Sequence, residues 1–500
     1  MTPFEKLLES VAEISDLNSA MALLEWDQQT YMPSNSAADR SLQIAALAKI
    51  SHEKASSAEF GRLIEMAEKE SAGMAPDSME ACLCRKLRRM FDKTSRTPVS
   101  LVARTAETSA KAHHAWAKAK AEADFSIFAP SLAALIDLRR EYAQLFSPYR
   151  NIYDPLLDNF EEGFTVETVD PVFRSLREKQ VPLLKKIASC EQVDDAFLHG
   201  KFPESSQLEF VNSVITRMGY DFTRGRQDLS THPFTTSFGL NDVRITTKVF
   251  EELPVSCLLS SVHECGHALY EQGISKSLNR TPLAEGASFA FHESQSRLWE
   301  NLVARSYDFW VFFYPEFQSR FPEQLAGVSL DRFYRAVNKV EPSLIRTEAD
   351  EATYNLHIML RYEMEKEMLN GGMEVKDIPE EWNRKSFEYL GIAPQNDSEG
   401  VLQDIHWSMG EFGYFPTYAL GNLIAAQLWM RAEQELPALG DSIRRGDFGL
   451  LLTFLRENLH HHGACFNPEE TLRRAVGTPH LDPDCFLTLL EKKYRAIYGF

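Results

Sequence analysis

The sequence predicts a mainly α-helical protein with one small β hairpin set into it. Three observations carry that expectation. Apolar residues recur at threes and fours along most of the chain, as in Leu7, Leu8, Val11, Ile14, Leu17 and Met21, which is the helical period. Residues 231–250 alone change texture, to Thr, Val, Ile and Phe around the turn Gly239-Leu-Asn-Asp242, and read as two short strands. The segment Ser260-Ser-Val-His-Glu-Cys-Gly-His-Ala-Leu-Tyr-Glu-Gln-Gly273 then returns to a helical pattern and carries the chain's most specific chemistry.

Taken in order, the first helical run breaks at Trp26-Asp-Gln-Gln-Thr-Tyr-Met-Pro33, with Ser34-Asn-Ser36 as a connection. Helices resume from Asp39 and again across 79–92 and 101–125. The Ala/Lys/Glu-rich tract Ala106–Asp124 is a strong helix former with a solvated face. Further helices follow to about residue 220, with breaks at Pro148, Pro155 and Gly163. Pro254 opens the motif helix, whose buried stripe is expected to be Val255, Leu258, Leu259, Val262 and Leu269, with Gly273 ending it. The apolar patch Phe309–Tyr314 is too short to cross a membrane, is stopped by Pro315, and suits core packing. No repeat or low-complexity linker divides the chain, so residues 1–500 are expected to form a single domain.

Composition excludes several classes of function. A formal charge of −19 argues against nucleic acid as a partner. No run of about 18 apolar residues exists, so no membrane span is expected. The N-terminus lacks a basic stretch followed by an apolar one, and the seven cysteines are odd in number and scattered. Both features point to reduced thiols in the cytoplasm. Cys82-Leu-Cys84 lacks the two-residue gap of a zinc knuckle.

His263 and His267 are four residues apart, so a helix presents both on one face, with Glu264 beside the first. This is the H-E-x-x-H arrangement: two imidazoles bind one Zn²⁺ and the carboxylate handles the proton of a water. A catalytic site needs a third protein ligand and an open position. A third His ten residues on from the first would require Gly at 270 and His at 273, where this chain has Tyr270 and Gly273. The other solution is a Glu from a second helix. Glu293 and Glu285 both qualify by position, with small residues at 287, 288 and 290 permitting close packing, while His292 points about 100° away from Glu293.

His-Glu-Cys-Gly-His followed by His292-Glu-Ser-Gln295 resembles the carboxypeptidase Taq family of metallocarboxypeptidases. Further matches are His232-Pro-Phe234, Asp242-Val-Arg-Ile-Thr246, Ile345-Arg-Thr-Glu-Ala-Asp350 and Gly400-Val-Leu-Gln-Asp-Ile-His-Trp407. Leu24–Pro33 and Lys493–Gly499 also match, so the resemblance spans essentially the whole chain. It implies a nearly all-helical enzyme with two lobes flanking a deep groove, one Zn²⁺ per chain (Co²⁺ possible in its place), and a homodimer. It also implies release of single residues from peptides with a free C-terminus. The implied metal ligands are His263, His267 and Glu293, with Glu264 as catalytic carboxylate.

Within that frame, His406 and Tyr418 are expected to clamp the transition state, with Tyr414 as a second candidate. A C-terminal carboxylate calls for the planar fork of an arginine, Arg346 first and Arg244 second. His232 and Gln403 are expected to line the substrate site. Asp404 is expected to orient His406 or a metal-bound His, and Asp350 to support Arg346. His460-His-His462, before Gly463, reads as a helix end where a protonated His suits the dipole. Two other functions are compatible with the motif: an oligopeptidase cutting internally in short peptides, and a zinc-stabilised peptide-binding scaffold.

Overall fold

Thr2 and Glu5 open the first helix with a capping box, the Thr2 hydroxyl accepting from the Glu5 amide and the Glu5 carboxylate from the Thr2 amide. In the computed structural model, which describes residues 1–500, this helix (α1, Pro3–Thr30) is followed by α2 (Ala37–Ala55), α3 (Ala58–Ser71) and α4 (Met79–Arg96). α1 does not break at Trp26. Residues 26–30 contain nothing that stops a helix, and the chain departs only as Pro33 approaches.

The chain divides into two compact units, each made of three separate stretches. The first comprises Met1–Ser95, Asp195–Val337 and Leu428–His480, and the second Arg96–Asp194, Asn338–Gln427 and Leu481–Phe500. No linker marks these crossings, which is why the sequence reads as undivided.

In the first unit the expected hairpin gains a third strand. β1 (Gln227–Leu229), β2 (Thr235–Ser237) and β3 (Val243–Thr247) form a sheet in the order β1-β3-β2. β2 pairs antiparallel with β3, Thr236 opposite Arg244, and β1 pairs parallel with it, Asp228 opposite Thr246. Gly239, at φ +128°, makes the hairpin turn that other residues would strain. β2 is an outer strand.

The sheet packs on α5 (Pro254–Gly273), where the Ser261 hydroxyl donates to Thr247 Oγ1 at 2.8 Å. α5 is buried almost all round rather than along one stripe. Only Val255, Ser256, Ser260, His263 and His267 keep partial exposure, and the last four form a line at helical spacing. Gly273 ends α5 for a packing reason: a Cβ there would lie 2.7 Å from the His460 ring. The next helix, α6 (Phe289–Arg297), is capped by Ser288 and runs into a wide π-helical segment, Leu298–Ala304. Pro315 does not stop its helix, which spans Tyr307–Arg320 and buries Phe309, Trp310, Phe313, Tyr314 and Phe317.

In the second unit the central helix α7 (Tyr354–Asn370) is buried along nearly its whole length. It turns two ionisable side chains, Arg361 and Glu365, fully inward. Pro155 begins a short helix, Asp154–Leu157, instead of breaking one, as suits a residue without an amide N–H. No helix is long and apolar enough to cross a membrane.

Candidate metal centre

α5 and α6 cross at Gly266. A Cβ there would lie 2.6 Å from the Gln295 carbonyl and 2.7 Å from Ser296 Cα, so glycine alone permits this approach. The crossing brings Glu293 against the two histidines of α5. Glu293 Oε2 lies 3.6 Å from His263 Nε2 and 3.5 Å from His267 Nε2. The three ligand atoms fall within 4.8 Å of one another. Tetrahedral bonds of about 2.0–2.1 Å place neighbouring ligand atoms roughly 3.4 Å apart, so the set fits one divalent metal. Glu285, the competing carboxylate, is exposed in the loop before α6 and is not in this set.

Each ligand is held from behind. Glu293 Oε1 accepts from Arg297 Nε at 2.6 Å, and its Oε2 from the Ser296 hydroxyl at 3.1 Å. Burial works to raise the Glu293 carboxyl, and Arg297 with the two histidines outweighs it, holding the group well below the usual range. His263 Nδ1 lies 2.9 Å from Glu300 Oε2, on the π-helical segment. Glu300 also meets Arg297 at 3.3 Å, and these neighbours overcome burial to bring its carboxyl down to about 2.

His267 is held differently. Its Nδ1 meets His292 Nδ1 at 2.6 Å, and His292 Nε2 meets Glu271 Oε1 at 2.7 Å. A neutral His267 that offers the Nε2 lone pair to a metal carries its proton on Nδ1 and donates it to His292. His292 then donates from Nε2 to Glu271, which fixes every tautomer in the chain. Burial outweighs Glu293 and lowers His267 to about 3, whereas Glu293 and Glu300 overcome burial to raise His263. Glu264 is 7% exposed, and burial raises its carboxyl. Its Oε2 accepts from the Thr235 hydroxyl at 2.6 Å, which ties the carboxylate to β2.

His460 is not a cation at a helix end. It is fully buried, stacked on Tyr270 at 4.9 Å, and bonded through Nε2 to Gln295 Oε1 at 2.8 Å. Burial lowers its pKa well below the ordinary value, so it is a neutral brace behind α5. Cys265 is buried with a thiol raised by desolvation, in keeping with a packing residue. In this unit Arg244 donates from Nε and Nη2 to Asp242, both at 2.8 Å, and its guanidinium covers Trp26 at 4.4 Å and Phe238 at 4.9 Å. His232 is exposed between β1 and β2, its carbonyl accepting from the Ser230 hydroxyl.

The second unit gathers the remaining site candidates around Asp404. Arg346 donates to Asp404 Oδ1 from Nε at 3.0 Å and Nη2 at 2.8 Å, and Arg361 to Oδ2 at 2.6 Å. Asp404 therefore anchors two arginines rather than orienting a histidine. His406 Nδ1 lies 4.0 Å away, is buried, and has no hydrogen-bond partner. The carboxylate that orients a motif histidine is Glu300, which the sequence does not single out. Gln403 braces the same corner, accepting from the Arg346 amide at 2.9 Å and donating to the carbonyls of Leu344, Glu399 and Gly400. Asp350 accepts from the amides of Glu341, Ala352 and Thr353, fixing the loop. Tyr418 Oη lies 3.4 Å from His406 Nε2, and Tyr414 stacks on the His406 ring at 5.5 Å. Burial lowers His406 to about 4, with Arg346 acting in the same direction.

Two histidines and a glutamate converging from crossed helices, with a buried carboxylate beside them, define a metal-dependent hydrolase of the H-E-x-x-H kind. Comparison with known proteins carries the assignment further. The chain belongs to the carboxypeptidase Taq (M32) metallopeptidase family, whose model matches residues 6–494. It is 40% identical to thermostable carboxypeptidase 1 of Thermus thermophilus over all of both chains. It is 37% identical to carboxypeptidase 1 of Bacillus subtilis over 99% of this chain and 98% of that one. Its structure superposes on the M32 carboxypeptidase of Deinococcus radiodurans with a TM-score of 0.97, at 40% identity over both full chains. For metallocarboxypeptidase 1 of Trypanosoma cruzi the TM-score is 0.94, at 35% identity over 99% of each chain. The protein is a metallocarboxypeptidase.

Proposed function

We propose that the protein removes single residues from peptide C-termini, with Zn²⁺, replaceable by Co²⁺, held by His263, His267 and Glu293. The observation that carries this reading is the convergence of the three ligand atoms while both histidine Nδ1 atoms are engaged elsewhere. A metal bound there supplies Lewis-acid polarisation and lowers the pKa of water toward neutrality.

The chain's own residues do the rest. Glu264 accepts the proton of the attacking water and returns it to the leaving amine. Its burial supports both roles, because a carboxyl raised above its usual range holds a proton more readily than an exposed one. Thr235 keeps it oriented. β2 is an outer strand beside a slot of about 460 Å³ lined by Trp26, Gln29, Phe234 and Thr236, which suits an extended peptide laid along a strand edge. Arg346 is assigned to the substrate carboxylate, ahead of Arg244, and His406 and Tyr418 to the oxyanion. The planar fork of a guanidinium, which matches a carboxylate, supports the Arg346 role, and the unpartnered Nδ1 of buried His406 supports a function for that side chain. On the same resemblance the enzyme works as a cytoplasmic homodimer.

The test is metal analysis together with mass-spectrometric ladders from one peptide. Wild type should bind one metal ion per chain and shorten the peptide stepwise from its C-terminus. Glu264→Gln should keep the metal and slow release by roughly 10²–10⁴-fold. Internal fragments would replace this reading with an oligopeptidase, and an undiminished Glu264→Gln would remove the proposed proton carrier.

A further inference from the structure

One face of α1 borders a groove in the first unit. Val11, Ser15, Asn18, Ala22, Trp26 and Gln29 recur at threes and fours, so a helix presents them on the same side. Trp26 and Gln29 line the slot beside Thr235 and Thr236. Val11, Ser15 and Asn18 line a second cavity, of about 630 Å³, beside Ser237, Leu240 and Asp242. Ala22 lines both. The groove therefore starts at Thr235, which holds the carboxylate of Glu264, and continues past the end of β2 to the hairpin turn.

The walls of this second cavity are largely apolar, and its charges do not balance. Leu87, Met90 and Phe91 of α4 join Val11 and Leu240 in the lining. The carboxylates of Asp16, Asp242, Glu271 and Glu285 line it too, against the single guanidinium of Arg280. Arg280 is spent on Asp16, its Nε donating to Oδ1 at 2.9 Å, and Asp242 is held by Arg244 at 2.8 Å. Two carboxylates are left over. Glu271 gives Oε1 to His292 at 2.7 Å, whereas its Oε2 has no partner although the residue is only 7% exposed. Glu285, on the loop before α6, has neither a hydrogen bond nor an ion pair. Lys86 of α4 acts on its charge from beyond ion-pair distance.

We propose that this cavity is a specificity subsite for a lysine or arginine side chain of the substrate, on the N-terminal side of the cleaved bond, with Glu285 and the free oxygen of Glu271 receiving its cationic head. The inference rests on the carboxypeptidase reading, which also sets the direction. An enzyme that releases one residue at a time leaves only that residue on the C-terminal side of the bond. A groove that leads on from the catalytic carboxylate past β2 therefore holds the residues that precede it. A long aliphatic stem with a charged head matches a cavity whose walls are apolar and whose unpaired groups are carboxylates. An apolar side chain would leave those carboxylates without a counter-charge, and an acidic one would add a third.

The test uses the metal-loaded full chain and N-acetylated alanine peptides in which lysine replaces one residue at a time. The value of kcat/KM is read for release of the C-terminal residue, and acetylation removes the α-amine as a competing cation. Wild type should favour lysine over alanine about tenfold at one position before the cleaved bond. Glutamate there should bring no gain, and added salt should shrink the preference for lysine. Glu285→Gln should bring the lysine-to-alanine ratio toward parity, and Glu285→Lys should turn the preference toward glutamate. Each ratio is taken within one enzyme, so a general loss of activity does not obscure it. Equal trimming of lysine and alanine peptides at every position, a gain confined to the released residue, or a lysine preference that survives Glu285→Lys would overturn the proposal. Internal fragments would instead remove the carboxypeptidase reading, and this inference with it.

Discussion

Each unit buries a cluster of opposite charges, and the two clusters are organised in opposite ways. Around Asp404 the charges close on each other: Arg346 and Arg361 occupy its oxygens and Tyr354 takes a further Arg346 N–H at 3.0 Å. Around Glu293 they remain open. Arg297, Glu300, His292 and Glu271 hold the ligands from behind, and two imidazole lone pairs and a carboxylate oxygen converge on one point. Charge density does not separate a metal site from a structural ion network. The direction of the atoms left over does.

That contrast can be broken at either cluster. Removing one arginine from the closed network leaves Asp404 short of a partner in a buried place. Arg346→Ala should therefore cost about 3–5 kcal/mol in urea unfolding. It should also slow trimming of free-acid peptides far more than any internal cleavage. Equal loss on free-acid and C-terminally amidated peptides would confine Arg346 to the structural role.

Glu365 offers a sharper test of the closed type. It accepts from Tyr153 Oη at 2.6 Å, Trp407 Nε1 at 2.8 Å and the Gly413 amide at 3.0 Å, yet burial raises its carboxyl to about 7. A carboxyl with a raised folded-state pKa binds its proton more tightly than the unfolded chain does. Stability should thus fall as pH rises from the ordinary carboxylate range to about 7. Glu365→Gln should flatten the dependence by roughly 2–4 kcal/mol, read from urea midpoints against pH. An unchanged slope would mean that the three donors keep Glu365 ionised throughout.

The open cluster can be tested through its two different supports. His292→Ala and Glu300→Gln should each weaken metal binding by about 10–100-fold, measured by competition with a chelator. If only Glu300→Gln weakens it, the relay through His292 and Glu271 contributes packing and no more.

The candidate histidine pair was legible because its spacing is local: two histidines four apart on one helix. The glutamate needed more, since spacing leaves Glu285 and Glu293 both open and only the family resemblance points to Glu293. Gly266, inside the motif itself, was the available signal for the crossing of α5 and α6. Glu300 and the His292–Glu271 relay were not legible, because each pairing depends on how two helices rotate against one another. The same limit applies to Asp404, which lies beside His406 in sequence but turns toward Arg346 and Arg361. β1 was missed because three residues, Gln227-Asp-Leu229, show no alternation and pair in parallel. The division of each unit among three separate stretches was hidden for a topological reason, as each crossing falls in ordinary helical or loop sequence.

The wide π-helical segment after α6 has a consequence for how such a centre can be tuned. A residue gained or lost within a helix rotates everything beyond it by about 100°. Glu293 lies before the segment and Glu300 inside it. A single-residue insertion or deletion there would swing the carboxylate behind His263 away while leaving the ligating glutamate in register. The strength of the metal's grip and the identity of its ligands are therefore set by separate stretches of one continuous helix, so drift can adjust the first without risking the second.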